Sequence, residues 1–220
     1  MTPDELEPVL AGLGLAFHGL AWMFYQAPSP ESTAVLMGPG ALEHWVVDAA
    51  DRHTRTGLEL LRVYREHWGP DALASLTADF NRLFVGPGSL LAPPWESVHR
   101  GVDHLLFDHH TLAVRAWYAR FGLEAPNHGH EPDDHLGLEL AFMGQLCDLA
   151  ACRNGRKEIL QAMGGFLDEH LLCWAPACLG QIQARARTPY YQGLAHLAQG
   201  CLHLAVRCLS TFGDGRPHDP

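Results

Sequence analysis

The sequence predicts an all-α fold, a single-domain helical bundle with two long ordered connectors. Three observations carry this. Apolar residues recur at i, i+3, i+4 and i+7 along most of the chain. Alternating β-branched runs are missing, and Leu and Ala dominate instead. The 220 residues are 47% hydrophobic and 18% charged, enough apolar surface to bury one core and too much for a disordered chain. The expected domain covers residues 1–212, with 213–220 as a flexible tail.

Thr2-Pro3-Asp4-Glu5 suits a helix start: Thr caps, Pro fits the first position, and acids suit the positive helix end. Leu6, Val9, Leu10, Leu13, Phe17, Leu20, Ala21 and Phe24 carry the helical period to about Gln26, where "APSP" ends it. A second helical region is expected over Ala41–Trp68, with Trp45, Val46, Ala49, Leu58, Leu61 and Tyr64 inward and Gly69-Pro70 as its stop. A third begins at Asp71 and carries Leu73, Leu76, Phe80, Leu83 and Phe84. Later helices are expected over about 111–121, closed by Gly122, over 134–152 and over 159–172. Pro176 is expected to interrupt the next piece. Thr188-Pro189 starts the last helix, which ends near Phe212.

Two irregular connectors, 86–108 and 123–133, stand out, because long ordered connectors in compact domains are more often functional than ornamental. The first follows "NRLFVGPGSLLAPPWESVH", where Gly86, Pro87, Gly88, Pro93 and Pro94 break the helix while Leu90, Leu91 and Trp95 remain to be buried. The second, "EAPNHGHEPDD", leads into Asp134, His135 and an apolar helix.

Charge and cysteines narrow the function. The formal charge is −10, with 15 Lys+Arg, a surface that repels nucleic acid and favours a basic partner. Six cysteines, with no C-x-x-C, argue against a zinc or thioredoxin-type site and read as buried small hydrophobes of a reducing compartment. The N-terminus lacks a basic segment, and no run of about 18 apolar residues suggests a membrane span. A cytoplasmic protein without stable membrane insertion is expected.

The connectors also carry a resemblance. "FNRLFVGPGSLLAPPWESVH" and "EPDDHLGLELAFM", together with "FLDEHLLCWAP" and "RTPYYQGLAHL", resemble the signatures of the TorD/DmsD family over roughly residues 75–207. The resemblance implies an all-helical, non-catalytic cytoplasmic chaperone. Such a chaperone binds the twin-arginine leader of a molybdopterin-dependent reductase precursor of the dimethyl sulfoxide reductase type and holds it from export until cofactor insertion is complete. The implied leader-binding residues are Phe80, Phe84, Leu91, Pro93, Pro94, Trp95, Glu96, Ser97, Pro132, Asp133, Asp134 and His135. No catalytic residue, metal or resident cofactor is implied, beyond weak contact with a guanine nucleotide or molybdopterin. The cofactor-insertion machinery and the export translocase are further implied partners. The family often has Tyr where this chain has His99.

The chemistry suits such a ligand. Two guanidinium groups need carboxylates, and an apolar segment needs a greasy groove. Leu90, Leu91 and Trp95 are expected to floor that groove, and Glu96, Glu131, Asp133 and Asp134 to face arginine. Each has a structural alternative: Trp95 pins its loop, Phe80 and Phe84 pack in the core, Ser97 bonds backbone locally, and Asp133 or Asp134 caps the following helix. His170, Trp174, Tyr190 and Tyr191 are expected in the core with polar tips.

Fifteen histidines raise a rival, a helical metal-dependent phosphohydrolase using the His/Asp-rich segment 128–135. Against it, pairs such as Asp134-His135 run in the wrong order, and neither H-E-x-x-H, a Walker loop nor G-x-S-x-G is present.

Overall fold

In a computed structural model, two pairs of long helices form the spine of the bundle. Residues 3–45, 47, 50–103, 105–126, 131–152 and 155–212 are described. Thr2, Val46, Ala49, His128, His130 and the 213–220 segment lie outside them.

The first pair is α1 (Pro3–Tyr25) along α7 (Leu136–Ala151). The helical period of α1 buries Leu6, Leu10, Leu13, Phe17, Leu20 and Phe24, and α7 answers with Leu136, Leu140, Met143 and Leu146. Burial of each such side chain stabilises the fold by about 1.5–3 kcal/mol before entropy is counted. The stretch Glu5–Tyr25 is also long and apolar enough to cross a membrane, which a search for an unbroken apolar run does not detect. Half of its apolar window is buried inside the bundle, as expected of a core helix.

The second pair is α3 (Arg52–Glu66) along α10 (Pro189–Phe212). Their backbones touch at Gly57 and Gly193: a Cβ on Gly57 would stand 2.8 Å from the Gly193 carbonyl oxygen. Between the pairs, Phe17, Phe24, Phe166, Trp174, Tyr190 and Tyr191 fill the core.

Local chemistry explains where helices begin and end, and where expectation missed. A short helix, α2 (Pro30–Met37), follows "APSP", because Ser29 and Ser32 form a reciprocal capping box and Pro30 takes its first position. The expected helix over 41–68 is shorter: turns occupy 41–44, and Asp51 caps α3 through the His53 and Thr54 amides. After α4 (Ala72–Phe80) the chain widens into a π turn at Asn81–Val85. A short α5 (Glu96–Arg100) lies inside the first connector. Helix α6 (His109–Arg120) ends as expected at Gly122, with φ +68°. There the Leu123 amide donates to Tyr118 O and the Gly122 amide to Ala119 O, a Schellman closure.

Pro176 does not break its helix. It sits inside α9 (Leu172–Arg185), just after a π turn at Leu167–Leu171 that follows α8 (Arg156–Phe166). The wider turn already loosens the ladder where proline's missing N–H would matter. The cysteines are corrected in part. Cys147, Cys178, Cys201 and Cys208 are buried, and burial pushes their thiols up, but Cys152 and Cys173 are exposed.

Candidate functional site

The two connectors meet in a short antiparallel bridge between Trp95 and His135. The Glu96 amide donates to Asp134 O at 3.0 Å, and the Leu136 amide donates to Pro94 O at 2.7 Å. The Trp95 and His135 rings meet edge to face, with centroids 5.6 Å apart. Tyr25, at the end of α1, closes on His135 from another side at 5.1 Å, and its hydroxyl donates to Glu131 Oε2 at 2.6 Å.

His135 is the cap of α7. Its Nδ1 accepts from the Gly137 amide at 3.0 Å, so the ring proton sits on Nε2. Burial drives its pKa down to about 4, against a smaller opposing pull from Glu131, so the ring is neutral at physiological pH. The cap expected from Asp133 or Asp134 is therefore supplied one residue later. Asp134 instead caps a distant helix: its Oδ2 accepts from the Ser97 amide at 2.7 Å, and its Oδ1 accepts from the Thr111 hydroxyl at 2.7 Å.

The expectation of carboxylates presented outward is corrected. Glu96, Asp133 and Asp134 are fully buried and already bonded inside the protein. Arg115 grips Asp133 with two bonds, Nε at 2.7 Å and Nη2 at 3.2 Å. Glu96 meets Arg100 and has His170 Nδ1 2.8 Å from its Oε2. Glu131 differs from these three in being only half-buried.

Beneath them lies Glu139, buried, whose Oε2 accepts from Trp174 Nε1 at 3.2 Å. Loss of water, then repulsion from Glu96 and Asp134, raises its pKa well above the usual carboxylate range. Burial thus favours the protonated form of Glu139.

The remaining predicted residues divide by depth. Phe80 and Phe84 are buried, 5.2 Å apart, and both rings pack on Tyr191. Pro94, Ser97 and Pro132 are buried, whereas Leu90, Leu91, Pro93 and Trp95 are half-buried at the surface. The Trp95 indole N–H and the Ser97 hydroxyl are buried with no hydrogen-bond partner among the described residues. His99 places Nε2 2.8 Å from Pro93 O and so steadies the proline turn. Trp174, His170, Tyr190 and Tyr191 are core residues, as expected.

Sequence reading missed the partners that hold this unit. Glu139 lies inside the second motif with nothing in its spacing to single it out. Arg100, Thr111 and Arg115 carry no motif that announces them. Nor does buried Asp79, whose Oδ2 accepts from the Arg187 and Thr188 amides and the Thr188 hydroxyl at the start of α10. Among the described residues the one His/Asp group close enough to hold a metal is Asp108, His109 and His110, outside the 128–135 segment.

These are the two motifs on which the resemblance rested, now seen as one packed unit. The profile of the family described as nitrate reductase delta subunit matches residues 48–180. The chain is 30% identical over 184 residues to the Tat proofreading chaperone DmsD of Salmonella typhi, covering 82% of each chain. It belongs to the TorD/DmsD family of redox-enzyme maturation chaperones. Other TorD/DmsD relatives extend the likeness over shorter spans. The probable Tat proofreading chaperone DmsD of Haemophilus influenzae is 32% identical over 56% of each chain. The chaperone protein TorD of Photobacterium profundum is 31% identical over 58% of this chain and 60% of its own. The phosphohydrolase alternative has no support.

Proposed function

We propose that this protein binds the twin-arginine leader of a molybdopterin-dependent reductase precursor, of the dimethyl sulfoxide reductase type, in the cytoplasm. It holds the leader until cofactor insertion is complete and then releases the precursor for export. It works by binding rather than catalysis and carries no cofactor of its own. The cofactor-insertion machinery and the export translocase are its further partners. The reading is supported by the names of the relatives, proofreading chaperones, and by a charge of −10 that steers a basic leader.

The observation that carries it is the joined unit of Trp95 and His135. It presents a half-buried indole in the connector that also carries half-buried Leu91 and Pro93, and half-buried Glu131 is bonded to the Tyr25 that packs on His135. On this reading the exposed part of that face takes apolar side chains of the leader, and half-buried Glu131 meets an arginine. Phe80, Phe84, Glu96, Ser97, Pro132, Asp133 and Asp134 then support the binding surface from behind.

Isothermal titration of the purified protein with a synthetic molybdoenzyme leader tests the reading. Binding should be measurable, and it should weaken when both arginines are replaced. Trp95→Ala should weaken it further without loss of helicity by circular dichroism. No heat with the leader encoded beside this gene, and no competition by it, would sink the proposal.

A further inference from the structure

The loop between α5 and α6 exposes a concentration of large apolar side chains. Val102 is 94% exposed, Leu105 63%, Leu106 43% and Phe107 49%, and Leu112, in the first turn of α6, adds 59%. A soluble protein rarely leaves such a group in water without a partner for it. Phe107 also holds φ +61°, a left-handed conformation that disfavours a bulky aromatic residue.

The base of this loop is tied down by hydrogen bonds. Asp134 takes the Ser97 amide on one side and the Thr111 hydroxyl on the other. The Gly101 amide donates to Ser97 O at 2.8 Å, and Asp108 caps α6 through the His110 amide at 2.7 Å. The two ends touch: a Cβ on Gly101 would stand 2.9 Å from Asp108 Oδ2. The residues that join the two motifs therefore also hold up the apolar loop, and the loop is continuous with the candidate site.

We infer that Val102, Leu105, Leu106 and Phe107, with Leu112, seat the apolar segment of a cationic-headed peptide. This rests on the leader-binding reading above. Charge complementarity selects the occupant. Residues 101–108 contain no Lys or Arg but do contain Asp103 and Asp108, within a chain of net charge −10. An anionic bilayer is repelled by that surface, and a second copy of the chain would bring the same carboxylates against each other. A peptide with arginines ahead of an apolar helix is attracted at one end and buried at the other.

Fluorescence anisotropy tests this with a labelled synthetic peptide of two arginines followed by a Leu/Ala-rich helix. A companion peptide keeps the arginines and replaces the leucines with Ser and Gly. V102S/L105S/L106S should weaken the first peptide by at least about tenfold and leave the companion's weaker binding unchanged. Phe107→Gly should weaken the first peptide while raising the thermal midpoint, because Gly tolerates the left-handed backbone. Normal binding of the first peptide by both variants overturns the inference and leaves the leader-binding reading standing. Failure of the unaltered protein to bind either peptide overturns both. Light scattering that shows a dimer dissolved by V102S/L105S/L106S makes the loop a self-association surface and overturns the inference. So does flotation with phosphatidylglycerol vesicles that the same variant abolishes.

Discussion

His170 Nδ1 lies 2.8 Å from Glu96 Oε2, and both side chains are buried. Glu96 opens α5 in the first connector, and His170 lies in the π turn after α8, so the contact pins the connector to the body of the bundle. Arg100 bonds the other oxygen of Glu96, and its guanidinium also donates to Glu169 O at 2.7 Å. Removing the carboxylate leaves the buried imidazole without this partner and Arg100 without its counter-charge, bonded to the Glu169 carbonyl. Glu96→Ala should cost about 3–5 kcal/mol, toward the lower end because Arg100 keeps some contact with water. Glu96→Gln keeps the shape and should cost about 1–3 kcal/mol. Urea unfolding of both variants checks the order.

His135 makes stability depend on pH with a definite sign. Its folded pKa is about 4, and the unfolded imidazole titrates near 6.5. The unfolded chain therefore binds the proton first as pH falls. The contribution is complete above about pH 6.5 and is lost between there and pH 4, amounting to up to about 3 kcal/mol. Burial shifts His53, His110 and His196 in the same direction, so total stability is not diagnostic. The difference between the protein and His135→Gln is. Chemical unfolding from pH 7.5 to 4.5 should show a shallower loss in the variant, and equal slopes would contradict a neutral buried ring.

Glu139 has the opposite sign. Its folded pKa is raised, so the folded state keeps a proton that the unfolded chain gives up above about pH 4.3. Stability from this group is complete below that value and falls as pH rises toward the folded pKa. Glu139→Gln is neutral at every pH and keeps an acceptor for Trp174 Nε1. It should match the parent near pH 4 and exceed it at pH 8. Glu139→Ala strands the indole N–H and opens a cavity, at a cost of about 2–4 kcal/mol near pH 4 that shrinks by pH 8, where the parent has lost its proton-linked stability. Paired unfolding curves at pH 4 and pH 8 separate these outcomes.

The bundle was largely legible because helical periodicity is local: Leu6, Leu10, Leu13, Phe17 and Phe24 announce the buried face of α1 by spacing alone. The site was legible as two motifs and not as a mechanism. Trp95 and His135 could be named, but their edge-to-face contact joins residues distant in the chain, and spacing carries no such information. Asp134 shows the limit most clearly. A carboxylate before an apolar helix suggests a cap for that helix, yet its oxygens serve Ser97 and Thr111 while His135 caps α7. Competition for one donor is decided by tertiary placement. The same holds for Glu96, whose carboxylate turns inward once Arg100 and His170 offer it partners.

The α3–α10 crossing gives a last test, in which two effects of one substitution oppose each other. Replacing a helical Gly with Ala gains roughly 0.8–1 kcal/mol through backbone entropy when the new methyl has room. Gly19 in α1 and Gly180 in α9 have nothing within 4 Å of an added Cβ, so Gly19→Ala and Gly180→Ala should stabilise the fold by about that much. Gly57 and Gly193 face each other's backbone, with Cβ-to-oxygen separations of 2.8 Å and 3.0 Å. Backbone cannot swing aside as a side chain can, so the long helices must separate along their shared length. That overpacking should outweigh the entropy gain and leave Gly57→Ala and Gly193→Ala less stable by roughly 1–3 kcal/mol. Thermal unfolding of the four variants side by side checks the prediction. Equal gains at all four positions would mean that α3 and α10 do not approach this closely in solution.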